Sequence, residues 1–307
     1  MLWGNYNGLS SRFSTLLEGV VGKVSEGTQV NYCSGAIEEE IGWALNDAEV
    51  IIACMGVTPE MKGEEAGDMG VPDAEGGGDR VSIGLPTQQQ ALLEKLVATG
   101  KPVILVLTGG SPIEFNWAKE HCAAILMVWY PGEAGGEAMA DAIFGDYNPA
   151  GRLPLTFIKS LADIPTFTDY RMKGRTYRFM KKEALYQFGY GLSYTTSKYS
   201  KLKVDGLTLT VEVKNSGKRD GDEVVQVYVT DSPARVPTPI KQLLAFKRVR
   251  IKAGATKTVS LTIKRKQLTA YSAKGAPIFA SGDYAISVGG GQPDDESSGA
   301  IAGTLVL

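Results

Sequence analysis

Two different apolar rhythms divide the chain. In the first half, continuous apolar runs of strand length, "EVIIACMG", "PVILVLTGG" and "AAILMVWYPG", alternate with stretches whose apolar residues recur three and four apart. Among the latter, "AIEEEIGWALNDA" sets Ile37, Ile41 and Leu45 on one stripe, with Trp43 read as core. From Thr87 to about Thr99, Leu92, Leu93, Leu96 and Val97 form another stripe, and Thr87 with Gln90 fits a capping box. "SPIEFNWA" predicts a helix start with Ser111 as N-cap, Pro112 in the first turn and Glu114 closing a second box. "EAGGEAMADAIFG" predicts a helix that stops at Gly145. Unbroken apolar strands separated by helices predict a parallel sheet covered on both faces.

From about Leu202 the period becomes two. Leu207, Leu209, Val211 and Val213 alternate with polar residues, as do Val225, Val227 and Val229, then Val259, Leu261 and Ile263, then Tyr284, Ile286 and Val288. Turn signals ("NSGKRDGDE", "KAGAT", "ASGD") separate them. Short alternating strands between regular turns predict an antiparallel sandwich of immunoglobulin or fibronectin type. The expected organisation is an α/β sandwich with a mostly parallel sheet over 1–160, a connection over 161–199 rich in Arg, Lys and Tyr, and an all-β immunoglobulin/fibronectin III-like sandwich over 200–307. Arg175, Tyr177 and Arg178 of "GRTYRF" are expected to clamp that connection.

In open parallel sheets, functional residues gather on loops beyond the C-terminal ends of strands. Three stretches fit: "TGGSP", "WYPGEAGGE" and, after the first strand, "MKGEEAGDMGVPDAEGGGDR". The last holds Glu64, Glu65, Asp68, Asp73, Glu75 and Asp79 with almost nothing to bury. It lacks the spacing of a calcium loop and the lysine of a phosphate-binding loop. A carboxylate here, desolvated by a bound substrate, would rise in pKa and could donate a proton to a leaving group.

Composition narrows the partners. The 307 residues carry a net charge of −2 with no long basic run, which argues against nucleic acid or an anionic membrane as partner. No apolar stretch reaches the roughly 18 residues of a transmembrane helix. Cys33, Cys54 and Cys122 have no metal-ligand or disulfide spacing and read as small core residues. His121 is the single histidine, so a multi-histidine metal site is excluded and no Ser–His pair is signalled. Trp117 and Trp129 could stack on a sugar but read as packing residues. "MLWGNYNGLSSRF" has no signal-peptide pattern, and its early turn residues suggest a start within a longer protein; the compartment is left open.

Several segments together resemble glycoside hydrolase family 3: "YPGEAGGEAMADAIFGDYNPAGRLPLTF", "GRTYRF", "YQFGYGLSYT" and the opening "LWGNYNG", with "GDEVVQVYVTD" and "KQLLAFKRVRIKAGATKTVSLTI" similar to its terminal fibronectin type III-like domain. The resemblance implies three-part retaining exo-β-glycosidases, commonly β-glucosidases and β-xylosidases. These have a (β/α)8 barrel carrying an aspartate nucleophile, then a six-stranded α/β sandwich, then the fibronectin-like domain, and members are often periplasmic or secreted. It also implies an acid/base glutamate on a sandwich loop. "KGEEAG…GGGDR" is similar to the "EGEE…GGDR" form of xylosidase-like members, which makes Glu64 the expected acid/base and Glu65 the second choice. Asp79 and Arg80 match the pair that closes the loop, with a loop-ordering or substrate-binding role.

Two departures accompany the resemblance. Lys62 stands where related loops carry a glutamate, and an ammonium there would lower the pKa of Glu64, against proton donation. Nothing in the chain resembles the barrel, so no nucleophile is expected in it. The expectation is a C-terminal part of a β-glycosidase acting on β-linked oligosaccharides or glycosides. It would need no metal or other cofactor, and would be inactive without a missing or separate barrel domain. The alternative is a non-catalytic carbohydrate-binding or scaffold module.

Overall fold

The computed structural model describes residues 2–4, 6–59, 61 and 80–307. They form two compact units: 1–147 with 159–161, and 148–158 with 162–307.

In the first unit, α1 (Leu16–Val21) opens with a capping box: Glu18 N–H donates to Thr15 Oγ1 (3.2 Å) and Thr15 N–H to Glu18 Oε2 (2.7 Å). After α2 (Glu38–Leu45) come β1 (Ile51–Gly56), α3 (Thr87–Ala98), β2 (Val103–Thr108), α4 (Asn116–His121), β3 (Ala124–Met127) and α5 (Gly135–Phe144). The strands pair in parallel in the order β1-β2-β3, with Ile51 opposite Val103 and Ile104 opposite Ala124. Central β2 supplies the most buried residues, Val103, Leu105, Val106 and Leu107. Each such side chain contributes roughly 1.5–3 kcal/mol by leaving water. Helix α1 packs on α5 through glycine: a Cβ on Gly19 would collide with the Gly136 carbonyl, and one on Gly136 with Thr15.

The parallel sheet matches expectation in type, but the described residues form three of its strands where the resemblance implies six. Several local readings are corrected. Helix α3 starts after Pro86, so Thr87 lies within it, and the Gln90 amide bonds Glu94 (2.8 Å) instead of closing a box. Helix α4 begins at Asn116, not near Ser111. The backbone over Ile113–Glu114 is drawn away, because Glu114 N–H donates to the Ile83 carbonyl (2.7 Å). A backbone bond between distant segments outweighs a local capping preference. Trp43 is not core but 61% exposed; Ile41 is the buried residue of this short helix. The cysteines are not core either: Cys33 and Cys122 are half-buried and Cys54 is exposed. Cys54 lies on β1, at the edge of the sheet among the described residues, between buried Ala53 and Met55, and its side chain points to the opposite face.

The second unit is an antiparallel sandwich. One sheet has the order β12-β11-β6-β7 and the other β4-β5-β8. Their strands are β4 (Ser197–Asp205), β5 (Thr208–Asn215), β6 (Gly221–Asp231), β7 (Gln242–Ile251), β8 (Thr256–Thr262), β11 (Asp283–Gly289) and β12 (Ile301–Val306). A small hairpin pairs β9 (Ala270–Tyr271) with β10 (Pro277–Ile278). The period-two residues meet in one core: Leu209, Val211, Val213, Val225, Val227, Val259, Leu261, Ile263, Tyr284, Ile286 and Val288, with Leu207 and Val229 partly buried at its margin.

The segment before β4 is stitched to this sandwich by polar contacts. Arg152 Nη2 pairs with Glu223 Oε1 at 2.8 Å, both side chains only 11% exposed. Gln226 Nε2 donates to the carbonyls of Gly189 (3.0 Å) and Gly290 (2.8 Å). "GRTYRF" does clamp. Arg175 Nη2 reaches the carbonyls of Thr166 (2.9 Å) and Asp169 (2.7 Å), and Arg178 Nη2 donates to Gln242 Oε1 (2.8 Å). The Tyr177 hydroxyl accepts from Leu243 N–H (3.2 Å) while its ring stacks on Phe188.

Candidate active-site loop and its anchors

Glu64, Glu65 and Asp79, together with Lys62, lie outside the described residues. What the structure gives is the framework on which the acidic loop starts and returns. Arg80 is the one expected site residue inside it.

The loop starts at the C-terminal end of β1, where Gly56 has φ +147° and stands so close to Thr108 that a Cβ would strike the Thr108 carbonyl. Only glycine accepts that position. Gln89, on α3, holds both polar atoms of this residue: Gly56 N–H donates to Gln89 Oε1 (2.8 Å), and Gln89 Nε2 donates to the Gly56 carbonyl (2.9 Å). One residue on, Val57 N–H donates to the Thr108 carbonyl (3.0 Å) and the Tyr130 hydroxyl donates to the Val57 carbonyl (2.8 Å). Met61 N–H then donates to Thr58 Oγ1 (3.2 Å).

These bonds draw the three strand ends together. Gly109, after β2, donates its N–H to the carbonyl of Trp129, after β3 (3.3 Å), and Trp129 adopts φ +56°. A left-handed tryptophan is uncommon and turns the chain sharply into "YPG". The "TGGSP" and "WYPGEAGGE" loops therefore flank the start of the acidic loop, as a parallel sheet requires.

The return is fixed as firmly. Arg80 Nη2 donates to the Gly84 carbonyl (2.7 Å), and Gly84 N–H donates to Ser82 Oγ (3.2 Å). Gly84 forms a parallel bridge with Glu114. Glu114 Oε1 accepts from Asn116 N–H (2.7 Å), which satisfies the first N–H of α4 from the residue before its N-cap. Arg80 is thus bonded to Gly84, which pairs with the segment that precedes α4.

Gln89 and Tyr130 are the residues that sequence reading missed. The signal for Gln89 was a glutamine inside "TQQQALL", on the face that carries Leu92 and Leu93. A polar group there needs a partner. Trp117 and Trp129 are half-buried. His121 stacks on Trp117 (4.2 Å between centroids, 8° between planes), and its Nδ1 lies 2.7 Å from the Trp117 carbonyl oxygen. Among the described residues no three His, Cys, Asp or Glu side chains come together as metal ligands.

Such an arrangement can present loop carboxylates beyond the ends of a rigid parallel sheet. Residues 1–194 match the Glycosyl hydrolase family 3 C-terminal domain, and residues 223–292 a fibronectin type III-like domain. A beta-xylosidase of Formosa agariphila is 36% identical over 96% of this chain and 42% of its own length. A xylan 1,4-beta-xylosidase of Xylanibacter ruminicola is 43% identical over 75% of this chain and 27% of its own. The chain thus spans less than half the length of these curated relatives. Among solved structures, the GH3 beta-glucosidase of Bifidobacterium adolescentis superposes with a TM-score of 0.82 at 25% identity, covering 99% of this chain and 47% of that one.

Proposed function

Because the chain belongs to glycoside hydrolase family 3, we propose that it forms one wall of a retaining exo-β-glycosidase site that releases terminal β-linked xylose or glucose. In this reading Glu64 is the acid/base, with Glu65 its nearest substitute. Protonated, it delivers a proton to the glycosidic oxygen as the bond to the anomeric carbon breaks. An aspartate from a (β/α)8 barrel, which these residues do not supply, holds the sugar covalently. Ionised, Glu64 then takes a proton from the water that releases it. Arg80 acts by ordering the loop, through its bond to Gly84.

The observation that carries the reading is the double anchoring of this loop. Its start is pinned by Gln89 and Tyr130 and its return by Arg80, at the sheet end where such folds place chemistry. The second reading, a non-catalytic carbohydrate-binding module, is favoured by Lys62, whose charge would hold Glu64 ionised.

Aryl β-xyloside and aryl β-glucoside hydrolysis, by the chain alone and mixed with a family barrel domain, tests the proposal. Turnover only in the mixture, reduced about 100-fold or more by Glu64→Gln and restored by azide, is expected. Turnover indifferent to both Glu64→Gln and Glu65→Gln would overturn it.

A further inference from the structure

A groove of about 400 Å³ opens in the first unit, beside the return of the loop. Among the described residues three segments wall it, Ser82–Leu85, Glu114 and Phe115 with Trp117, and Lys159–Leu161, and Gln90 of α3 joins them. They are bonded to one another. Glu114 N–H donates to the Ile83 carbonyl (2.7 Å), and Asn116 Nδ2 donates to the Lys159 carbonyl (2.8 Å). The groove is therefore formed in advance and not by a ligand.

Its chemistry is mixed. Trp117 lines it with a half-buried indole, and the imidazole of His121 covers one face of that ring and fixes its setting. Leu161 adds apolar surface. Glu114 and Lys159 bring one carboxylate and one ammonium to the same groove. With one charge of each sign, an anion or a cation gains little net attraction. A neutral molecule with an apolar face and a rim of hydroxyls gains from every part: its C–H face from the indole, and its hydroxyls from an acceptor and a donor. That description fits a sugar ring.

We propose that this groove is a saccharide-binding site for one or two units of a β-linked chain, separate from the acid/base loop. The choice of ligand rests on the glycosidase reading; the site itself rests on the groove. A second contact for the sugar chain would raise the local concentration of substrate without taking part in bond cleavage.

Calorimetric titration of the 307-residue chain with xylobiose and with cellobiose tests it. Saturable millimolar binding is expected. Lys159→Ala and Leu161→Asp, whose backbones keep their bonds, should weaken it at least tenfold, while Glu64→Gln leaves it unchanged. Trp117→Ala should do the same where circular dichroism shows the fold retained. Absence of saturable binding, or binding insensitive to both Lys159→Ala and Leu161→Asp, overturns the proposal. Binding abolished by Glu64→Gln overturns it too, because the sugar would then sit on the acid/base loop. Groove binding that persists where hydrolysis ignores Glu64 and Glu65 would overturn the glycosidase reading alone.

Discussion

The side-chain amide of Gln89 exchanges two hydrogen bonds with the backbone of Gly56, at 2.8 and 2.9 Å, and so closes a ring between α3 and the last residue of β1. Each bond satisfies a backbone group that would otherwise be stranded at the buried end of β1. A buried group left without a partner costs about 1–3 kcal/mol. Gln89→Ala should therefore lower stability by about 2–4 kcal/mol, read from denaturant midpoints at unchanged slope. Gln89→Glu keeps the acceptor but sets a carboxylate oxygen against the Gly56 carbonyl, and should not recover the loss. If Gln89→Ala leaves the midpoint in place, the ring does not hold the loop.

Gly56→Ala is expected to be worse. The added methyl meets the Thr108 carbonyl, and the backbone sits at φ +147°. Neither can relax without parting β1 from β2, so a loss above about 4 kcal/mol, or failure to fold, is the expected outcome. Soluble expression with an unshifted melting curve would contradict it.

Arg152 and Glu223 form a buried ion pair whose members are also bonded elsewhere: Arg152 Nε donates to the Gly290 carbonyl (3.2 Å), and Glu223 Oε1 accepts from Val224 N–H (2.9 Å). Removing one partner strands the other charge, and Arg152→Ala should cost about 3–5 kcal/mol. Replacing both by apolar residues of similar volume should recover most of that loss. A double variant no better than the single would show that the contacts to Gly290 and Val224 matter more than the pair.

Two tyrosines make the second unit sensitive to alkali. Burial raises the pKa of the Tyr228 phenol, and burial with the Glu223 carboxylate raises that of Tyr199. A pKa higher in the folded state adds stability below the unfolded value, near 10, and loses it as pH rises through the folded value. Above pH 10 each of these groups should therefore take away about 1.4 kcal/mol per pH unit. Ultraviolet titration of the 13 tyrosines should show two that ionise only with unfolding. Phenylalanine at either position should flatten the alkaline limb, and an unchanged limb in both variants would refute the assignment.

Asp169 behaves in the opposite sense. Arg171 binds it through Nε (2.9 Å) and Nη2 (2.7 Å), and these bonds hold its carboxyl well below the usual carboxylate range. A depressed pKa contributes stability above the unfolded value and loses it as pH falls through the folded one. The turn at Thr166–Arg171 should thus keep its amide protection at pH 4 and lose it only in stronger acid. Asp169→Asn should remove that acid transition from hydrogen-exchange profiles. A transition that persists in the variant would assign it to another group.

The sequence by itself determined the two periodicities, and through them the parallel sheet and the antiparallel sandwich. Burial on both faces demands unbroken apolar strands, and burial on one face demands alternation. It also marks out the acidic stretch between β1 and α3 as a candidate loop, since a run of glycines and carboxylates after an apolar strand has nothing to bury. Tertiary structure decided what local pattern cannot carry. Ser111 and Thr87 look like helix caps, yet Glu114 is drawn to Ile83 and α3 starts after Pro86. Trp43 looks like core until its short helix is seen to bury Ile41 alone. Gln89 and Tyr130 hold the start of the loop through partners 33 and 73 positions away, and bonds of that span have no signature in local spacing. Likewise Glu114 and Trp117 meet Lys159 in one groove only because the Asn116 side-chain amide bonds the Lys159 carbonyl and ties the two segments together.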